Sequence, residues 1–96
     1  MPPTYRTVAL STTPRLICKS DKRRTSITFV SQDPANTIYI HAGRNPAVGD
    51  GLPLYPLEEI FMNKGLGDQT NVNWYAHSGA GTPNISIMEQ FGDELV

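Results

Sequence analysis

Apolar and polar residues alternate along this chain in short runs, each closed by turn-forming residues. That pattern predicts β-strands and no long helix. Residues 5–10 (YRTVAL) form the first run, broken at Pro14, and residues 15–19 (RLICK) form the second. A Ser- and Asp-bearing turn (SDKR) leads into 24–31 (RTSITFVS), which places Thr25, Ile27 and Phe29 on one face. After QDPAN comes 37–42 (TIYIHA), with Ile38, Ile40 and Ala42 on one face and Tyr39 and His41 on the other. These two runs and the short loop between them read as the clearest β-hairpin of the chain.

The stretch 43–53 (GRNPAVGDGLP) carries Gly and Pro at a density that excludes helix and central strand. Residues 54–62 (LYPLEEIFM) read as a strand, with Pro56 placing it at a sheet edge, in preference to a loop that docks Leu52, Leu54 and Leu57 onto the core or a helical turn over LEEIFM. A second loop (NKGLGDQTN) precedes 72–78 (VNWYAHS), which turns Val72, Trp74 and Ala76 inward. GAGTP then leads to 84–91 (NISIMEQF), with Ile85, Ile87 and Phe91 inward. About seven strands with turns every 8–12 residues predict an all-β fold, an antiparallel β-sandwich or small jelly roll. Its expected core is Val8, Leu10, Leu16, Cys18, Ile27, Phe29, Ile38, Ile40, Leu54, Phe61, Val72, Trp74, Ile85 and Ile87.

At 96 residues the chain is one domain, 1–96, with an extended N-terminal arm (about 1–7) and a short C-terminal tail (about 92–96). A core this small favours a domain that gains stability within an assembly. The single cysteine, Cys18, excludes an internal disulfide and a Cys-rich zinc site. It reads as a small buried hydrophobe. No basic segment followed by an apolar core opens the chain, and no apolar run reaches membrane-spanning length. A soluble protein made in a cytoplasm is the expectation.

Candidate chemistry is sparse. His41 and His77 lack the further ligands that zinc needs, and neither is tied to Cys18 as a base would be. Glu58 and Glu59 are adjacent, so on a strand they face opposite ways and cannot converge as a glycosidase pair. GAG and GLG do not precede helices, and HSGAG does not place its serine between glycines. The expectation is a non-enzymatic protein with no metal and no cofactor.

Charge is the more informative feature. Residues 1–44 hold seven basic and two acidic residues, net +5, and residues 45–96 hold one basic and seven acidic, net −6. Lys19, Lys22, Arg23 and Arg24 crowd one turn. With a pI near 6.0 and aromatics placed elsewhere, the cluster reads as one side of a protein–protein charge match and not as a nucleic-acid site.

The order of motifs is similar to that of a group of small all-β structural proteins of tailed bacteriophages. Arg24, Thr25 and Ser26 match its opening strand, Ile38, Tyr39 and Ile40 its second, and Gly51 and Leu54 its loop. Tyr75 and Ala76 match its aromatic strand, and Ile85, Ile87 and Glu89 its last. The likeness spans roughly 15–91. It implies a virion protein, assembled in the host cytoplasm, that decorates or cements the capsid surface or anchors a head fibre. It carries over no catalytic residue. The implied partners are the major capsid protein or another virion protein and further copies of the chain, with no nucleic acid and no membrane. Candidate contact residues are Lys19, Lys22, Arg23, Arg24 and Arg44 with Tyr5, Tyr39 and Tyr75. A second expectation is a carbohydrate- or receptor-binding module of a tail or fibre, using Tyr39, Tyr55, Tyr75, His41 and His77 as a sugar platform.

Overall fold

A computed structural model describes residues 3–43, 51–63 and 71–92. Among these there is no helix. Eight strands form: β1 (Thr4–Ala9), β2 (Arg15–Cys18), β3 (Arg24–Ser31), β4 (Ile38–Ala42), β5 (Leu52–Leu54), β6 (Glu59–Asn63), β7 (Trp74–Ser78) and β8 (Asn84–Phe91). They make two antiparallel four-stranded sheets, ordered β1-β8-β3-β6 and β2-β7-β4-β5. The all-β sandwich expected from the alternation is the fold observed.

The two sheets enclose Ile27, Phe29, Ile85 and Ile87 from the first and Ile38, Ile40, Leu54, Trp74 and Ala76 from the second, all buried. Phe29 meets Trp74 at 5.3 Å between ring centroids, tilted by 59°, which joins the sheets at mid-core.

Four expectations are corrected. First, 24–31 and 37–42 do not form a hairpin. β3 pairs with β8 and β6, whereas β4 pairs with β7 and β5 in the opposite sheet. The connection arches across the core. Asp33 accepts hydrogen bonds from the backbone N–H of Ala35 and Asn36 at 2.7 and 2.8 Å, so the loop has its own internal bonding and does not close a ladder. The same bonds hold its carboxyl below the usual aspartate range.

Second, the single strand expected over 54–62 is two strands in different sheets. Between them the Glu58 N–H donates to the Tyr55 carbonyl at 3.0 Å, closing a β-turn with Pro56 second and Leu57 third. Leu57 takes φ 59°, the left-handed region usually given to glycine. Beyond this turn Ile60 and Met62 face the core, and Phe61 points out at 53% exposure. Third, the register shifts between Leu16 and Cys18, so consecutive residues Ile17 and Cys18 are both buried and Leu16 lies at the surface. Fourth, residues 4–7 are not a free arm, because they belong to β1 and pair with β8 of their own sheet. Met1, Pro2, Arg44 and the tail beyond Gly92 lie outside the described residues.

Replacing Phe29 by Ala is expected to lower unfolding free energy by about 3–5 kcal/mol. Phe61→Ala should stay within about 0.5 kcal/mol of wild type. Urea unfolding with an unchanged m-value measures both. A Phe61 effect as large as that of Phe29 would restore the inward placement read from the sequence.

Candidate functional site

The basic turn leads directly into β3, and the geometry there separates its four cations. Strict alternation from Ile27 and Phe29 would turn Arg24 outward with Ser26. Instead the register between β3 and β8 shifts between Arg24 and Ser26, leaving Thr25 without a register partner on β8. The shift sets Arg24 opposite Phe91 and turns it into the sandwich, where it is 1% exposed.

Glu89 waits there. It sits on β8 between Ile87 and Phe91, at an inward position opposite Ile27. Arg24 Nε donates to Glu89 Oε2 at 2.9 Å, and Arg6 Nη2 lies 3.1 Å from Glu89 Oε1. The carboxylate therefore spends one oxygen on each guanidinium. Arg24 also donates to the carbonyls of Val72, at 3.3 Å, and Lys19. Arg6 also donates to the Ile17 carbonyl at 2.6 Å and to Cys18 Sγ at 3.1 Å. Both arginines start from the first sheet and end on backbone beside β2 and β7, so the cluster ties the two sheets together at this end. An open pocket of about 500 Å³ lies over it, lined by Arg6, Arg24 and Glu89 with Lys19 and Leu16 among others.

The remaining basic residues stay outside. Arg23 pairs with Asp21 at 3.3 Å and, through its backbone N–H and guanidinium, holds the Asp21 carboxyl below the usual range. Lys19 and Lys22 are exposed. The four-cation mouth expected from the sequence is thus one buried arginine, one surface pair and two free-standing lysine positions. Arg24 is not available to an outside partner.

The tyrosines divide between two surfaces. Tyr5, 72% exposed, lies on the outer face of the first sheet, where the register aligns it with Met88, Thr28 and Phe61 across all four strands. Tyr39, Tyr75 and His41, all half-buried, lie on the outer face of the second sheet, and His77 beside them is fully buried, which removes it from the expected sugar platform. Tyr39 stacks on His77 at 5.3 Å between ring centroids. Among the described residues, no three His, Cys, Asp or Glu side chains are grouped so that they could hold a metal ion. No described helix is long and apolar enough to cross a membrane. Comparison with family models, with curated proteins and with solved structures finds no match to this chain.

Glu89 was the functional residue missed in the sequence, although its signal was present. Ile85, Ile87 and Phe91 inward place position 89 inward too, and an inward carboxylate requires a cation. The identity of that cation was hidden by the register shift before Ser26.

Glu89→Gln should lower stability by about 3–5 kcal/mol, because it leaves the buried Arg24 uncompensated. The double replacement Arg24→Met with Glu89→Leu should recover much of that loss, and Lys22→Ser should stay within about 0.5 kcal/mol. Thermal or urea unfolding decides; equal effects of Lys22→Ser and Glu89→Gln would show that the cluster does not hold the fold.

The Cys18 thiol is pushed up from 9.0 to about 11, by burial first and by the Glu89 charge second, with Arg6 and Arg24 opposing. The neutral thiol is therefore favoured in the native state. Its contribution to stability is fully present below pH 9.0 and is lost as pH rises through about 11. A thiol reagent at pH 8 should label Cys18 in urea and not in the native protein, and labelling at equal rates would contradict this burial.

Proposed function

We propose that the chain is a non-enzymatic structural protein of a tailed-phage particle, which docks on the capsid exterior and stabilises the shell. The observation that carries this reading is the outer face of the first sheet. Tyr5, Met88 and Phe61 lie in one row across it, with the buried Thr28 between Met88 and Phe61, rimmed by Thr7, Ser86 and Glu59, beside a groove of about 440 Å³. Exposed apolar side chains gathered on one face with a polar rim are characteristic of a protein-binding surface. Lys19, Lys22 and Arg23 at one end of the sandwich supply positive charge suited to steering onto an acidic shell.

Two further features support the phage likeness. Arg24 and Glu89, which open and close the matched motif, are ion partners in one cluster. In addition, every connection between consecutive strands except β4 to β5 crosses between the sheets, which is the wrapping of a small jelly roll. Docking across neighbouring shell subunits would clamp them by buried area alone.

The experiment is to ask whether the protein copurifies with particles, and in what number. Roughly several hundred copies per capsid would mean decoration, and about a dozen or fewer a tail or vertex position, since symmetry sets the stoichiometry. Tyr5→Ser with Phe61→Ser should weaken binding to emptied capsids at least about tenfold, or ~1.4 kcal/mol. Replacing Lys19, Lys22 and Arg23 by Ser should weaken it more at low salt than at high salt. Wild-type binding by both variants would overturn the reading.

A carbohydrate- or receptor-binding role has one observation of its own, the gathering of Tyr39, Tyr75 and His41 on the outer face of the second sheet, with Tyr39 stacked on the buried His77. Binding of the isolated protein to a glycan array, lost on Tyr75→Ser, would favour it over decoration.

A further inference from the structure

Four strands lie at sheet edges: β1 and β6 in the first sheet, β2 and β5 in the second. An open edge offers unpaired backbone groups, and proteins usually blunt it with short length, proline, a bulge or charge. β5 has three residues and contains Pro53. β2 has four residues and a register shift. β6 has five residues and opens with Glu59. Among the described residues β1 has only one such device, the Arg15 guanidinium on the carbonyl of its last residue, Ala9. It runs six residues in unbroken register from Thr4↔Glu89 to Ala9↔Asn84, with no proline, lysine or acid. Its one charge, Arg6, is turned onto Glu89, Ile17 and Cys18.

The backbone groups left open on β1 can be assigned. The Leu10 N–H donates to the Pro83 carbonyl at 2.9 Å, continuing the ladder toward β8. Alternation then turns Thr4, Arg6 and Val8 to β8, and Tyr5, Thr7 and Ala9 to the open side. The Ala9 carbonyl accepts Arg15 Nη1 at 3.1 Å, which places it on that open side.

We propose that β1 is a dimerisation edge, pairing antiparallel with β1 of a second copy of this chain about a two-fold axis through Thr7. The open triplet is symmetric about Thr7, so this register opposes Thr7 to Thr7 and each Tyr5 to the other copy's Ala9. All three pairs are of the type that exchanges two N–H···O bonds, with the Ala9 carbonyl, which already accepts from Arg15, using its second lone pair for the other copy's Tyr5 N–H. Each tyrosine ring lies over a small side chain, and no charged side chain opposes another like it. Two four-stranded sheets become one continuous sheet, and the row of Tyr5, Met88 and Phe61 in one copy extends into that of the other. The pairing deepens the homo-oligomeric part of the proposed function and names the edge that makes it.

Sedimentation equilibrium of the full chain tests the pairing. Wild type should show a concentration-dependent monomer–dimer equilibrium. Thr7→Lys sets two ammonium groups against each other at the axis and should weaken the dimer at least tenfold. Ala80→Lys adds the same charge at an exposed turn and should leave it unchanged. Thr7→Cys should form an interchain disulfide under mild oxidation, because a directly opposed pair has Cα atoms about 5.5 Å apart and the native Cys18 is buried. A wild type that stays monomeric at every concentration overturns the proposal. So does a dimer that survives Thr7→Lys and does not cross-link through Thr7→Cys. All of this is measured on the isolated chain, so failure here leaves capsid docking standing, and failure to bind capsids leaves the dimer standing.

Discussion

The carboxylate of Glu89, shared between Arg24 and Arg6, is the interaction on which one end of this sandwich depends. Each guanidinium originates on the first sheet and reaches backbone carbonyls in or next to strands of the second, Ile17 for Arg6 and Lys19 and Val72 for Arg24. Apolar contacts hold the sheets at mid-core, yet a single contact of this kind is non-directional and indifferent to the angle of approach. Directed, charge-assisted hydrogen bonds are not indifferent. A buried ion cluster of this kind contributes little net stability over well-packed apolar residues, yet loss of one member is severe, so it acts chiefly as a constraint on how the sheets meet.

That constraint also redistributes the surface. Drawing Arg24 inward removes one of the two guanidinium groups from the basic turn, and the Asp21 pairing partly neutralises the other, Arg23. What remains outside is a modest positive patch, far weaker than the sequence count suggests. Tyr5, Met88 and Phe61 then stand out on the outer face of the first sheet, the sheet whose edge strand β1 is the longest of the four edges. Recognition by face and association by edge are compatible, because a sheet's face and its edge present different groups: side chains on one, backbone on the other.

Much of the fold was legible in the chain. Period-2 alternation identified β3, β4, β7 and β8 closely, because a strand with one buried face has to alternate. It failed where a local irregularity changed parity. A register shift put both Ile17 and Cys18 inside and Leu16 out. The turn at Pro56–Leu57 divided one expected strand between two sheets and exposed Phe61. A further shift before Ser26 reversed Arg24. Each of the two register shifts moves the chain by a single residue, and neither hydropathy nor composition registers so small a change.

The sequence by itself determined that the chain would be all-β, where most strands lie and which isoleucines make the core, since burial of one face imposes alternation on any strand. Only the tertiary structure decided which strands pair. An inward-facing β3 and β4 read the same whether they close a hairpin or face each other across a core, because both arrangements bury the same side chains. For the same reason Arg24 and Glu89, 65 positions apart, carried no mark of each other in the chain. Their meeting is set by the β3–β8 ladder, a long-range pairing that local pattern does not encode.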